Sequence, residues 1–221
     1  MQFLDLIIDS LPALWQGVQL TILLAVVSYI GALVLGTFIA VGRLSSSATL
    51  RLVCTVYVDF FRGTPLIVQI FMVYFGIPSI LQEFGIPFRF DRFYAATLTL
   101  TCYIAAYIAE DIRAGAKSLG QGQWDAARAL GLRPSHVWIL VILPQAFRRA
   151  LPSLGNEAVG ILKDTSLVAI IGYEELFRKG QLIVANTYQP FQIYLLVALI
   201  YLCLTMVTSL ANRFLERRFQ T

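Results

Sequence analysis

SLPALWQGVQLTILLAVVSYIGALVLGTFIAVG, residues Ser10–Gly42, contains no Asp, Glu, Lys or Arg. A second run of this kind, Gly180–Asn212, reads GQLIVANTYQPFQIYLLVALIYLCLTMVTSLAN. Each exceeds the roughly 20 residues a helix needs to cross a bilayer. Hydrocarbon offers the backbone no hydrogen-bond partners, so a single crossing segment must satisfy its own N–H and C=O groups, and the helix does this. A transmembrane barrel needs segments of about ten residues in alternating pattern, and none is visible. Across the 221 residues 58% are hydrophobic and only 14% charged, against about a quarter charged in a soluble chain. The expected fold class is an all-α integral membrane protein, read as a single domain over residues 1–221.

About five spans are expected on these grounds. They cover Ala13–Val41, Leu52–Leu81, Phe93–Ala109, Pro144–Ile171 and Phe191–Ala211, within a core of residues 13–216. Met1–Pro12 has Phe3, Leu4, Ile7, Ile8 and Leu11 set against Asp5 and Asp9, a pattern that suits an amphipathic helix at the membrane surface. Asp5 and Asp9 stand where a signal peptide carries basic charge, so this segment is expected to be retained. Gly31 and Gly36 would let another helix approach the first span. Asp59 and Arg62, three positions apart, have the spacing of a pair on one helical face. Arg62-Gly63-Thr64-Pro65 should interrupt the second span, because proline removes a donor and turns the preceding residue away from helix. The break and its charges are read either as a structural kink or as part of the solute path. Glu110, Asp111 and Arg113 are expected at the aqueous end of the third span.

The net charge of +4 reads as topology and not as nucleic-acid binding. Arg43, Arg51, Arg113, Lys117, Arg128, Arg133, Arg213, Arg217 and Arg218 fall on one side of the spans. Arg89, Arg92, Arg178 and Lys179 fall on the other. The richer side is cytoplasmic by the positive-inside rule, which puts the N-terminus outside and the C-terminus inside. Cys54, Cys102 and Cys203 are read as small buried apolar residues, neither a disulfide framework nor a metal site. The lone His136 has no acid or nucleophile at a recognisable spacing. Trp15, Trp124 and Trp138 are read as interfacial anchors.

Residues 118–134 break the apolar pattern. Trp124–Leu130 is a short helix-forming run closed by Gly131 and followed by Pro134, and so short a helix is marginal unless it docks. Asp125-Ala126-Ala127, Gly131 six positions after Asp125, and Leu143-Pro144 resemble the EAA loop of ABC-transporter permease subunits. Asp125 stands for the family's Glu and Val141 for its Ile. Leu11-Pro12 with Gly17 and Thr21, Phe61-Arg62-Gly63-Thr64-Pro65, and Leu162-Lys163-Asp164-Thr165-Ser166-Leu167 resemble the polar amino acid subfamily in the same order.

The resemblance implies the type I importer permease fold in a bacterial inner membrane. It implies a coupling helix (Asp125, Ala126, Ala127, Gly131) fitting a groove on a cytoplasmic ATPase subunit. Its implied partners are two such ATPase subunits, which hold ATP and Mg, a second permease subunit as homodimer or heterodimer, and an external solute-binding protein. In arginine-carrying relatives, acidic residues at the positions of Glu157 and Asp164 contact the substrate, which implies a basic amino acid here. Glutamine or another polar amino acid is the alternative.

The residues themselves support parts of this. Glu157 and Asp164 lie about two turns apart on nearly one helical face, and intramembrane carboxylates usually line an aqueous path or find partners. Lys163, Arg62 and Arg149 are the cations that would neutralise them in a structural role. Asn156, Thr165 and Ser166 are candidates for the solute's α-carboxylate or α-amino group. No Gly-Lys pair occurs in the chain, and a phosphate-cradling P-loop requires one, so the hydrolysing subunit is expected to be another polypeptide and this chain to bind no cofactor of its own. The rivals are an ATP-independent channel or secondary transporter, an intramembrane enzyme, for which no nucleophile–base pair or metal site is apparent, and a sensor that transports nothing.

Overall fold

The computed structural model describes residues 3–219, and no strand occurs among them. In chain order the helices are α1 (Phe3–Arg43), α2 (Ala48–Gly63), α3 (Leu66–Phe71), α4 (Ile77–Glu83), α5 (Arg92–Lys117), α6 (Gln121–Ala129), α7 (Pro134–His136), α8 (Leu143–Asp164), α9 (Leu176–Thr187) and α10 (Pro190–Phe219). π-helical turns at Met72–Gly76 and Val137–Ile142 join α3 to α4 and α7 to α8, and a 3-10 segment, Thr165–Ile171, continues α8.

Among the described residues four stretches are long and apolar enough to cross a membrane: Asp5–Arg43, Leu66–Glu83, Pro134–Ile171 and Pro190–Arg218. α5, where the third span was expected, has the length, about 39 Å for its 26 residues. It is not among those four. One side of it is enclosed by protein, with Ala95, Leu100, Ile104, Ile108 and Ile112 buried, while Tyr94 and Leu98 are exposed.

The chain divides into two compact units. The first comprises Met1–Ile30, Thr64–Thr101 and Ala158–Thr208. Its core joins Leu6, Leu14 and Val18 of α1 to Leu176 of α9 and Ile193 and Val197 of α10. The second comprises Gly31–Gly63, Cys102–Glu157 and Ser209–Thr221. Here α1 and α5 approach closely at Gly36, where an added Cβ would lie 2.8 Å from the Ala105 carbonyl.

Several details differ from expectation. The surface helix expected over Met1–Pro12 is not a separate element within Phe3–Pro12, because α1 runs unbroken through Pro12. Met1 and Gln2 lie outside the described residues. Asp59 and Arg62 do not pair: the Arg62 guanidinium lies over the Tyr107 ring, 5.3 Å from its centroid. Glu110 binds both Arg43 and Arg113 at side-chain exposures of 14–25%, a pairing that spacing alone did not indicate for Arg43. Cys54 and Cys102 are half-buried and Cys203 is exposed, so their environment is less enclosed than expected. Trp124 and Trp138 pack edge-to-face on each other, with centroids 5.1 Å apart.

Candidate coupling and translocation sites

α6 is built from its local sequence. Gly120 precedes it without a side-chain cap, and Ala126, Ala127 and Ala129 favour helix. The end is a left-handed cap at Gly131, φ 72°. There Gly131 N–H donates to Arg128 O at 2.9 Å and Leu132 N–H to Ala127 O at 3.3 Å, the paired closure that glycine permits. Pro134 then opens α7, where its missing N–H costs no helical bond. Ala127 is the only buried residue of α6. Asp125 and Ala126 are exposed, and Leu130 just beyond is 80% exposed. Apart from Ala127 and the half-buried Trp124, the residues of this short helix are exposed.

The break expected at Arg62-Gly63-Thr64-Pro65 is present. α2 stops at Gly63, and Pro65 is extended (φ −64°, ψ 135°) before α3 begins. Gln69 donates from Nε2 to the Thr64 carbonyl at 3.2 Å and to Thr64 Oγ1 at 2.8 Å, which ties the interrupted backbone to the next helix.

Glu157 and Asp164 both belong to α8, with Asp164 its last residue. Seven residues at 1.5 Å and 100° each put them about 10.5 Å apart along the axis and within about 20° of one face. Both are half-buried, and Asn156 is exposed. Thr165 is fully enclosed and donates to Leu162 O at 2.7 Å, while Ser166 donates to Lys163 O at 2.7 Å. Both hydroxyl protons therefore serve their own backbone, as hydroxyls in membrane helices commonly do. An apolar cavity of about 640 Å³ lies in the first unit against Trp15, Val18, Ile161, Leu162 and Leu204. Neither Glu157 nor Asp164 lines it, so it gives a zwitterion no charged partner.

Two carboxylates have partners that spacing along the chain did not indicate. Glu110 receives Arg113 and Arg43. The Arg113 hydrogen bonds, with the charges of Arg113 and Arg43, hold its pKa down to about 2. In the other unit Glu175 is fully buried. Its oxygens accept from Phe177 N at 2.9 Å, Arg178 N at 2.7 Å and the Tyr201 hydroxyl at 2.6 Å. Burial pushes the Glu175 carboxyl above its ordinary value, while these hydrogen bonds oppose the shift. Glu175 is the N-cap of α9 but is not one of the residue types that usually cap a helix, so its role was not legible locally. Nothing local announced Arg43 as a partner of Glu110.

An all-helical chain with several apolar helices, an interrupted span and an exposed short helix between α5 and α8 has the architecture of a multi-pass transport permease. The chain belongs to the family described as "Binding-protein-dependent transport system inner membrane component", whose model matches residues 32–221. The glutamine transport system permease protein GlnP of Escherichia coli K12 is 38% identical over 211 residues, 96% of this chain and 94% of that protein. The arginine ABC transporter permease protein ArtQ of Haemophilus influenzae is 36% identical over 212 residues, 96% of this chain and 95% of that one. A solved amino acid ABC transporter, crystallised with histidines, superposes with a TM-score of 0.87 at 35% identity, covering 99% of both chains. The type I ABC importer permease fold follows, and family members of this type are membrane subunits, not ATPases.

Proposed function

We propose that this chain is the permease subunit of an ATP-driven importer and forms the path for a basic amino acid: arginine, lysine or histidine. The observation that carries the reading is the pair Glu157 and Asp164 on one face of α8. Two carboxylates favour a cationic side chain by direct Coulomb attraction, more strongly where water is scarce. Asn156 stands beside Glu157 as a polar contact for the solute, and Arg62-Gly63-Thr64-Pro65 is the helix break at which the path opens. Thr165 is left out of the solute contacts by its enclosure.

The N-terminus lies outside and the C-terminus with α6 in the cytoplasm, as the distribution of Lys and Arg favours. α6 docks on a cytoplasmic ATPase subunit. Two such subunits hold ATP and Mg, a second permease subunit completes the membrane dimer, and an external binding protein delivers the solute. ATP closes the ATPase pair, α6 follows, and the path turns outward. The cycle requires only that the permease's two states differ in affinity for solute and partners.

The test is uptake into vesicles containing the whole reconstituted complex. Glu157→Gln should lower arginine uptake about tenfold, the loss of one charge-assisted contact, with glutamine uptake changed much less. Equal effects on the two solutes would overturn cationic selectivity. A second reading, glutamine as the solute, is favoured by the likeness to GlnP. In that case arginine fails to stimulate the wild-type complex and glutamine does. Uptake that persists without ATP would point to a secondary transporter or channel instead.

A further inference from the structure

α6 is held very unequally on its two sides. Toward α5 the connection is the backbone turn at Gly120, where Gln123 N–H donates to Gly120 O at 3.0 Å. Among the described residues no side-chain hydrogen bond or ring contact joins α6 to α5. Toward the π-helical turn and the start of α8 there are two. The Trp124 ring meets Trp138 edge-to-face at 5.1 Å, and Gln145 Nε2 donates to Gln123 Oε1 at 3.0 Å. The same Gln145 amide donates to Val141 O at 2.8 Å.

These contacts straddle a particular piece of backbone. Trp138 and Val141 belong to the π-helical turn Val137–Ile142, and Gln145 sits just beyond it in the first turn of α8. A π turn departs from the α-helical hydrogen-bond ladder and often marks a functional position. Left alone, it would let α7 and α8 rotate or bend relative to each other. The two stems of the loop are also pressed together: a Cβ on Gly115 of α5 would lie 2.5 Å from the Ala146 carbonyl of α8.

We infer that Trp138 and Gln145 are positioning residues that clamp α6 to α8 across the π-helical turn, so that movement of α6 is delivered to the helix carrying Glu157. Edge-to-face aromatic packing resists sliding and is directional. The Gln145 amide fastens a residue before the turn and a carbonyl within it to one point beyond it. The clamp thus makes α6 and α8 one lever, and a push on α6 reaches α8 without being absorbed in the turn. The inference rests on α6 being the ATPase-coupling helix.

The experiment compares ATP hydrolysis with solute uptake in the complete complex, reconstituted with its ATPase and binding protein. Wild-type complex showing ATP-dependent uptake establishes the underlying reading, and its absence would refute that reading separately. Given that baseline, Trp138→Ala combined with Gln145→Leu should retain the ATPase on co-purification and retain hydrolysis. Solute carried per ATP should fall about tenfold. Trp138→Phe, which keeps an aromatic edge, should restore at least half of the ratio. Gln145→Leu alone, near-isosteric and partly exposed, should lower the ratio roughly threefold even if the double variant folds poorly. An unchanged ratio in Gln145→Leu overturns the clamp. So does loss of the ATPase on purification, because these residues would then serve docking and not transmission.

Discussion

α9 begins on Glu175, a carboxylate fully enclosed by protein and capping two backbone N–H groups. α6 begins on Gly120, with no side chain to cap it. α9 is fastened to α1, where Leu176 N–H donates to Thr21 Oγ1 at 3.1 Å, and to α10 through the Tyr201 hydroxyl. α6 buries only Ala127. Both helices lie outside the expected spans, and both are short. The first is finished by its own chain. The second is held at one side and open over most of its surface, as a helix must be if a partner is to grip it. A cap and a buried acceptor tie α9 into the scaffold, whereas the uncapped, exposed α6 has the free surface that the proposed docking on an ATPase subunit requires.

The sharpest way to break this contrast is Glu175→Ala. It leaves Phe177 N–H, Arg178 N–H and the Tyr201 hydroxyl without their acceptor in an enclosed place. At about 1–3 kcal/mol per orphaned group, partly relieved by rearrangement, a loss of about 3–5 kcal/mol is expected. The thermal midpoint of the purified chain in detergent should fall steeply. Glu175→Gln keeps an acceptor oxygen and should cost about 1 kcal/mol. An unchanged midpoint in Glu175→Ala would show that α9 is not held by its carboxylate.

A smaller effect is expected from Gly17→Ala. The added methyl would meet the Leu176 Cα at 2.7 Å, and forcing α9 off α1 should cost about 1–3 kcal/mol, read in the same unfolding experiment. On the side of α6 the comparable anchor is Glu110, which binds the stem helix α5 to the end of α1. Glu110→Gln should cost roughly 1–2 kcal/mol at neutral pH, less than the 3–5 of a fully buried pair because the site is partly open to solvent.

pH separates the two carboxylates by sign. The folded pKa of Glu110 is depressed to about 2, so its contribution is full above the unfolded value of about 4.3 and is lost as pH falls through about 2. The midpoint gap between wild type and Glu110→Gln should therefore narrow on acidification. The folded pKa of Glu175 is raised by burial, so its contribution is fullest below about 4.3 and declines as pH rises through the folded value. Relative to wild type, Glu175→Gln should gain as pH rises. Parallel pH curves for the two glutamine variants would contradict this assignment.

The smallest stability change belongs to α6 itself. Asp125→Arg lies on an exposed surface and should move the midpoint by no more than about 0.5 kcal/mol. Recovery of the ATPase with the complex should nevertheless fall about tenfold, the equivalent of about 1.4 kcal/mol of binding. A stability loss as large as that of Gly17→Ala would mean that α6 is scaffold after all.

Much of this protein is written in local chemistry and can be read from the chain alone. Charge-free runs longer than a bilayer's thickness demand helices, whatever they pack against. Gly131 and Pro134 close and reopen the backbone around α6, and Pro65 breaks the second span, because each acts on its immediate neighbours. Tertiary contacts had to supply the rest. Arg43 reaches Glu110 across 67 positions, and Thr21 reaches Leu176 across 155. Arg62 turns from the neighbouring Asp59 to Tyr107, and Trp138 packs on Trp124, fourteen positions away. Spacing along a helix says which side chains share a face, but a charge or a ring takes the best partner within reach in space, and that choice exists only once the helices have packed.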